Sequence, residues 1–112
     1  MSELIKNLPR SATFDLAGQV DYEPGKVVSL TVAQQKGVGS TLFAFDAGEG
    51  LSTHAAGGDA MATVLEGTAE ITIDGVSNEV SAGQAIVMPV GIPHSVKAIT
   101  PFKMYLVVVK PD

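Results

Sequence analysis

From Val27 onward, apolar and polar residues alternate with the period of two that marks β-strands. Over 27–33, Val28, Leu30 and Val32 share one side, with Val27, Ser29, Thr31 and Ala33 on the other. Thr68 to Ile73 alternates most cleanly, with Ala69, Ile71 and Ile73 set against Thr68, Glu70 and Thr72. Asp74-Gly75 follows and predicts a tight hairpin turn of type I′, in which both central residues take positive φ. Val76 to Val80 is the returning strand. Further strands are predicted over 40–45, 60–65, 85–88, 94–100 and 102–109, separated by turn residues. In the strand over 40–45 both faces are apolar, Leu42 and Ala44 against Phe43 and Phe45. That is expected where one face lines an interior and the other packs on a second sheet or subunit.

The chain ahead of Val27 is less regular. Residues 2–8 are read as one helical turn carrying Leu4, Ile5 and Leu8 on a face, started at Ser2-Glu3 and ended by Pro9. Ala12 to Leu16 is read as a short strand and Val20 to Glu23 as irregular, before the turn at Pro24-Gly25. Short strands, frequent turns and no long helical period predict an all-β sandwich or barrel. At 112 residues the chain has room for one domain, with an N-terminal arm over 1–24 and the barrel over 27–109.

Composition narrows the partners. Twelve acidic residues against seven basic ones leave a formal charge of −5, which disfavours binding to a phosphate backbone. There are no cysteines, so neither a disulfide framework nor thiolate chemistry is available. The segment Met1-Ser-Glu-Leu-Ile-Lys-Asn-Leu8 is too short and too polar for a signal h-region, and no apolar run approaches the roughly 20 residues that span a bilayer. The expectation is a cytoplasmic protein with neither nucleic acid nor membrane as partner. Hydrophobic residues make up 46% and charged residues only 17%, and strands such as 40–45 are apolar on both faces, so part of the surface is expected to be covered by a second copy in a homodimer.

The stretch from Gly83 to His94 carries the most local information. Ala85-Ile-Val-Met88 reads as a short buried strand. Pro89 ends pairing because it has no N–H to give a ladder. Gly91 and Pro93 then shape the approach to His94, which opens the next strand.

Here the residues resemble the cupin family. Gly83, Pro89, Gly91 and His94 match its second motif, G-x5-P-x-G-x2-H-x3-N, with Ala98 in place of the final asparagine. Gly48, His54 and Gly67 match its first motif, G-x5-H-x-H-x3,4-E-x6-G. Ala56 stands at the second histidine of that motif, and Ala60 or Met61 at the glutamate. The resemblance implies a small antiparallel jelly-roll β-barrel, a double-stranded β-helix, with a pocket between its two sheets. It also implies that His54 and His94 face that pocket from different strands. In metal-binding cupins three histidines and a glutamate hold one divalent metal, so a site for Zn, Ni, Fe or Mn is a further implication, with His54 and His94 as its ligands. Asp59 is the nearest carboxylate, but in a regular strand it faces away from the Ala60 position unless a bulge at Gly57-Gly58 re-aims it.

Met61 and Tyr105 join the two histidines as candidate pocket residues. Methionine fills irregular gaps, and a buried tyrosine hydroxyl needs a partner. Met88, Met104, Phe43, Phe45 and Phe102 carry the same choice between pocket lining and ordinary core. No Ser–His–acid order, phosphate loop or paired carboxylate stands out. The expected function is the binding of a small organic ligand, with a divalent metal as an additional candidate. The alternative is a metal-dependent dioxygenase, isomerase or lyase with an incomplete ligand set.

Overall fold

Nine antiparallel strands make up nearly all of the regular structure in the computed structural model, which describes residues 3–111. They are β1 (Val27–Gln34), β2 (Val38–Phe45), β3 (Gly50–His54), β4 (Asp59–Glu66), β5 (Thr68–Ile73), β6 (Val76–Ser81), β7 (Ala85–Met88), β8 (His94–Ala98) and β9 (Phe102–Val109). A five-stranded sheet has the order β1-β2-β9-β4-β7, and a four-stranded sheet the order β3-β8-β5-β6. The crossovers between the two sheets are those of a jelly roll. Asp74 and Gly75 have φ of 50° and 80°, the conformation that the hairpin between β5 and β6 requires.

The core lies between the sheets. Phe45, Ala62, Val64 and Met104 of the larger sheet pack with Ala69, Ile71 and Val96 of the smaller. Alternation explains the supply: on β4, Ala60, Ala62 and Val64 point inward, and on β8, His94, Val96 and Ala98 do.

A second apolar cluster covers the outer face of the five-stranded sheet. Val32, Leu42 and Ala44 are buried there beneath Val20, with Leu8 and Leu16 packed against them. Residues before β1 therefore lie as an arm across β1 and β2, tied down where Lys6 N donates to Val32 O at 2.8 Å and Asn7 Nδ2 to Thr31 O at 2.7 Å.

This arm differs from the sequence expectation. Residues 3–8 form bends instead of a helical turn, and residues 12–16 are not a strand. Ser2, the expected start of the turn, lies outside the described residues. Asn7 and Ser11 take φ of 65° and 58°, which interrupts either regular structure. Leu4 and Ile5 stay exposed, so the three apolar residues share no buried face. A single turn has little capacity to nucleate alone, and docking onto the sheet decides the local path.

Lys103, on the outer face of β9, is buried under the arm. Its Nζ donates to Ala17 O at 2.7 Å, lies 3.6 Å from Glu66 Oε1 and sits 4.9 Å from the centre of the Tyr22 ring. Tyr22 donates its hydroxyl to Glu66 Oε1 at 2.7 Å. Partial burial, then the hydrogen bond to Glu66 and its negative charge, push the Tyr22 phenol above its ordinary value of 10.0. The folded state therefore holds this proton more tightly than the unfolded chain. Its contribution to stability is full below about pH 10 and is lost as pH rises through the folded value. In an ultraviolet titration, one of the two tyrosines should ionise late, and Glu66→Gln should bring that ionisation to lower pH.

Candidate functional site

A cavity of about 370 Å³ opens between the sheets. Its apolar lining is Phe43, Leu51, Met88, Val96, Met104 and Leu106, and its polar lining is Ser52, His54 and His94.

His94 is placed by its own strand. It opens β8 on the inward side and is 4% exposed. The preceding loop is braced at every step. Val90 N donates to Asp59 Oδ1 at 2.8 Å, Gly91 N to Ala56 O at 3.1 Å, and Ile92 N to Pro89 O at 3.2 Å. Asp74 N donates to Pro93 O at 2.9 Å, tying the loop to the tip of the β5–β6 hairpin. The prolines and glycine of this stretch thus define a turn whose amides bond Asp59 of β4, the β3–β4 loop and the turn itself.

His54 reaches the same cavity by an irregularity. Leu51 lies opposite Val96 on β8, and His54 lies opposite His94, so three steps on β3 match two on β8. In a regular strand, residues three apart face opposite sides. The register shift adds the residue that returns His54 to the side of Leu51. The two imidazoles then meet edge to face, with centroids 4.5 Å apart and planes at 66°.

Each ring is held by its own backbone. His54 Nδ1 lies 3.1 Å from Ser52 O and His94 Nδ1 3.2 Å from Ile92 O. A carbonyl oxygen only accepts, so both Nδ1 atoms donate, and in the neutral ring Nε2 is left with a lone pair. Among the described residues neither Nε2 has a protein hydrogen-bond partner.

Two other candidates lie elsewhere. Met61 is 43% exposed on the outer face of β4, between Val87 of β7 and Val107 of β9 in register. It is separated from the cavity by the sheet itself, because Ala60 and Ala62 take the inward positions. Tyr105 also faces outward, packed in the arm-covered cluster, and donates its hydroxyl to Ser40 Oγ at 2.9 Å. That bond satisfies the phenol without any ligand. Leu51, Val96 and Leu106 also line the cavity, and none is a fixed position of either motif. Val96 was accessible to reasoning, since it stands two residues after His94 and shares its side.

The metal implied by the motifs has too few donors here. Asp59 is engaged with the Val90 amide and does not approach the histidines as a third ligand. Glu66 pairs with Tyr22 and Lys103, and Glu70 accepts from Ser77 Oγ at 3.0 Å. Among the described residues no three His, Cys, Asp or Glu side chains come together. Two imidazoles with alanines at the other motif positions do not fit a site of three histidines and a glutamate, and a catalytic first-row metal ordinarily takes three protein ligands.

The family model described as the cupin domain matches residues 41–110. The chain belongs to the cupin family. Among solved structures, this cupin is similar to a conserved protein of unknown function from Streptococcus pyogenes. The two share 43% identity over 99% of this chain and 97% of that one, with a TM-score of 0.96. A cupin superfamily protein from Desulfitobacterium hafniense is 28% identical, covering 96% of this chain and 98% of its own, with a TM-score of 0.92. A cupin 2 conserved barrel domain protein from Leptotrichia buccalis is 40% identical over 87% of this chain and 47% of its own, with a TM-score of 0.85. A comparison with curated proteins returns no match. No helix among the described residues is long and apolar enough to cross a membrane.

Proposed function

We propose that this cupin binds a small organic molecule in the cavity between its sheets, with His54 and His94 as the orienting polar groups. The observation that carries this reading is the lining: six apolar side chains and two adjacent imidazoles, each clamped at Nδ1 by a carbonyl. A concave, mainly apolar space with a few placed polar groups is the usual form of a small-molecule site. A thermal-shift screen of small aromatic and aliphatic compounds tests it. A ligand at a hundredfold excess over its Kd stabilises by about 2.7 kcal/mol, and the shift should shrink or vanish in the His54→Ala/His94→Ala double variant. No shift from any compound, with the variant folded and indistinguishable, would overturn the reading.

The second reading is a metal-dependent dioxygenase, isomerase or lyase. It is favoured by the anchored Nδ1 atoms, an arrangement that metal-binding imidazoles also use, and opposed by Ala56 and Ala60. Elemental analysis of untagged protein purified without chelators separates the two. Near-stoichiometric metal that disappears in the double variant would favour the enzyme.

A homodimer is part of the same proposal. Met61, Val87 and Val109 leave the outer face beside edge strand β7 apolar and exposed, where the arm does not reach. A second copy is the occupant proposed for it. Sedimentation at several concentrations should give twice the chain mass, and Val87→Glu should lower it to that of one chain.

A further inference from the structure

We infer that the ligand brings its own hydrogen-bond donor: an aryl alcohol or a close analogue, with an apolar body and a hydroxyl head, and not a carboxylate or phosphate. The inference rests on the small-molecule reading of the cavity and goes beyond it by specifying the head group.

Ser52 O and Ile92 O have no proton to give, so both imidazoles spend their Nδ1–H on the backbone. What each neutral ring has left is the Nε2 lone pair, an acceptor. His94 is 4% exposed, yet no buried side-chain nitrogen or oxygen among the described residues lacks a partner. Its Nε2 therefore opens onto the free space of the cavity. The His54 ring, more exposed than His94 but lining the same cavity with its centroid 4.5 Å away, carries a second acceptor.

The rest of the lining sharpens the choice. Ser52 is the one further polar residue lining the cavity, and Phe43, Leu51, Met88, Val96, Met104 and Leu106 complete it. No lysine or arginine is among them. Against two neutral imidazoles, an anionic head would have to shed its water among apolar side chains and two lone pairs, with no lysine or arginine to offset the cost. A hydroxyl gives its proton to an imidazole and leaves its ring or alkyl body among Phe43, Met104 and Leu106. Sites that bond a ligand hydroxyl discriminate sharply against analogues that lack it, because the partner in the site is then left unsatisfied.

The test compares three probes of one shape in one mildly alkaline buffer: para-ethylphenol, para-ethylanisole and para-ethylbenzoate. Calorimetry should give para-ethylphenol a Kd at least about tenfold below that of the anisole, the factor equivalent to one hydrogen bond of about 1.4 kcal/mol. The benzoate should bind more weakly still. Nitrogen NMR of the wild type should show the Nε2 resonances moving on addition of the phenol while the Nδ1 resonances stay in place. The preference for phenol should be lost in His54→Phe/His94→Phe. If that variant fails to fold, the Nε2 shifts of the wild type decide. Equal binding of phenol and anisole, or tightest binding of the benzoate, would overturn the donor-head inference while leaving the cavity a small-molecule site. Binding of none of the three, together with no hit in the thermal-shift screen, would overturn the underlying reading as well. Stoichiometric zinc that displaces para-ethylphenol and shifts both Nε2 resonances would assign the lone pairs to a metal and overturn the inference.

Discussion

Gly67→Ala should remove a large part of the protein's stability. Gly67 sits at the corner where the chain leaves β4 in the larger sheet and enters β5 in the smaller, and it takes a φ of 77°. A Cβ added there would lie 2.0 Å from the Pro101 carbonyl oxygen and 2.8 Å from the Phe102 Cα. Both obstacles are backbone, so no side-chain rotation relieves them. The left-handed conformation alone costs a residue with a Cβ about 1–2 kcal/mol, and a forced shift of packed backbone adds roughly 1–3 kcal/mol or more. Against the roughly 5–15 kcal/mol that holds a domain together, a sum of about 2–5 kcal/mol is a large part of the margin. Gly75→Ala is the matched control. Its φ is 80°, but nothing lies within 4 Å of the added Cβ, so it should lose only the conformational part. Chemical denaturation of the two variants measures the difference. Similar midpoints would mean that the corner between the sheets can open, contrary to this account.

Phe102→Ala should cost about 3–5 kcal/mol, the range for emptying a buried aromatic site. Its ring is fully buried and stacks on Phe45, with centroids 4.5 Å apart and planes at 9°. Phe45 in turn lies 5.7 Å from Phe43, whose ring lines the cavity. The three rings connect the first residue of β9 to the wall of the site. Tm should fall by roughly 10–20 °C for a domain of this size. A double-mutant cycle with Phe45→Ala should show coupling of about 0.5–1.5 kcal/mol from the stack. Additive losses would mean that the rings contribute as separate hydrophobic volumes.

Local pattern was enough for much of the fold. Thr68–Ile73, Ala85–Met88 and Phe102–Val109 form strands with the predicted ends, and Asp74-Gly75 turns as predicted, because side-chain alternation and turn chemistry act within a few residues. Other ends moved by one or two residues, as where β8 stops at Ala98 instead of Thr100. The arm departs from its local pattern because its path is set by docking. Leu8, Leu16 and Val20 are drawn onto Leu42 and Ala44, and a segment with no strong period of its own follows that surface.

Sequence by itself determined eight of the nine strands, all but β3, together with the principal hairpin, the acidic balance of charge, and the two histidines at family positions. Tertiary structure decided which of them meet and which way they face. On β4 and β9 both faces are apolar, so alternation could not say whether Met61 or Ala62, Tyr105 or Met104, points inward; closure of one sheet against the other assigned Ala62 and Met104 to the core. His54 reaches the cavity only through the register shift against β8, and a shift between strands leaves no mark on the pattern of either one. The same closure brought two imidazoles 40 positions apart in sequence to 4.5 Å in space. Pairing of β3 with β8 is a long-range contact, and its geometry belongs to the barrel and not to any segment within it.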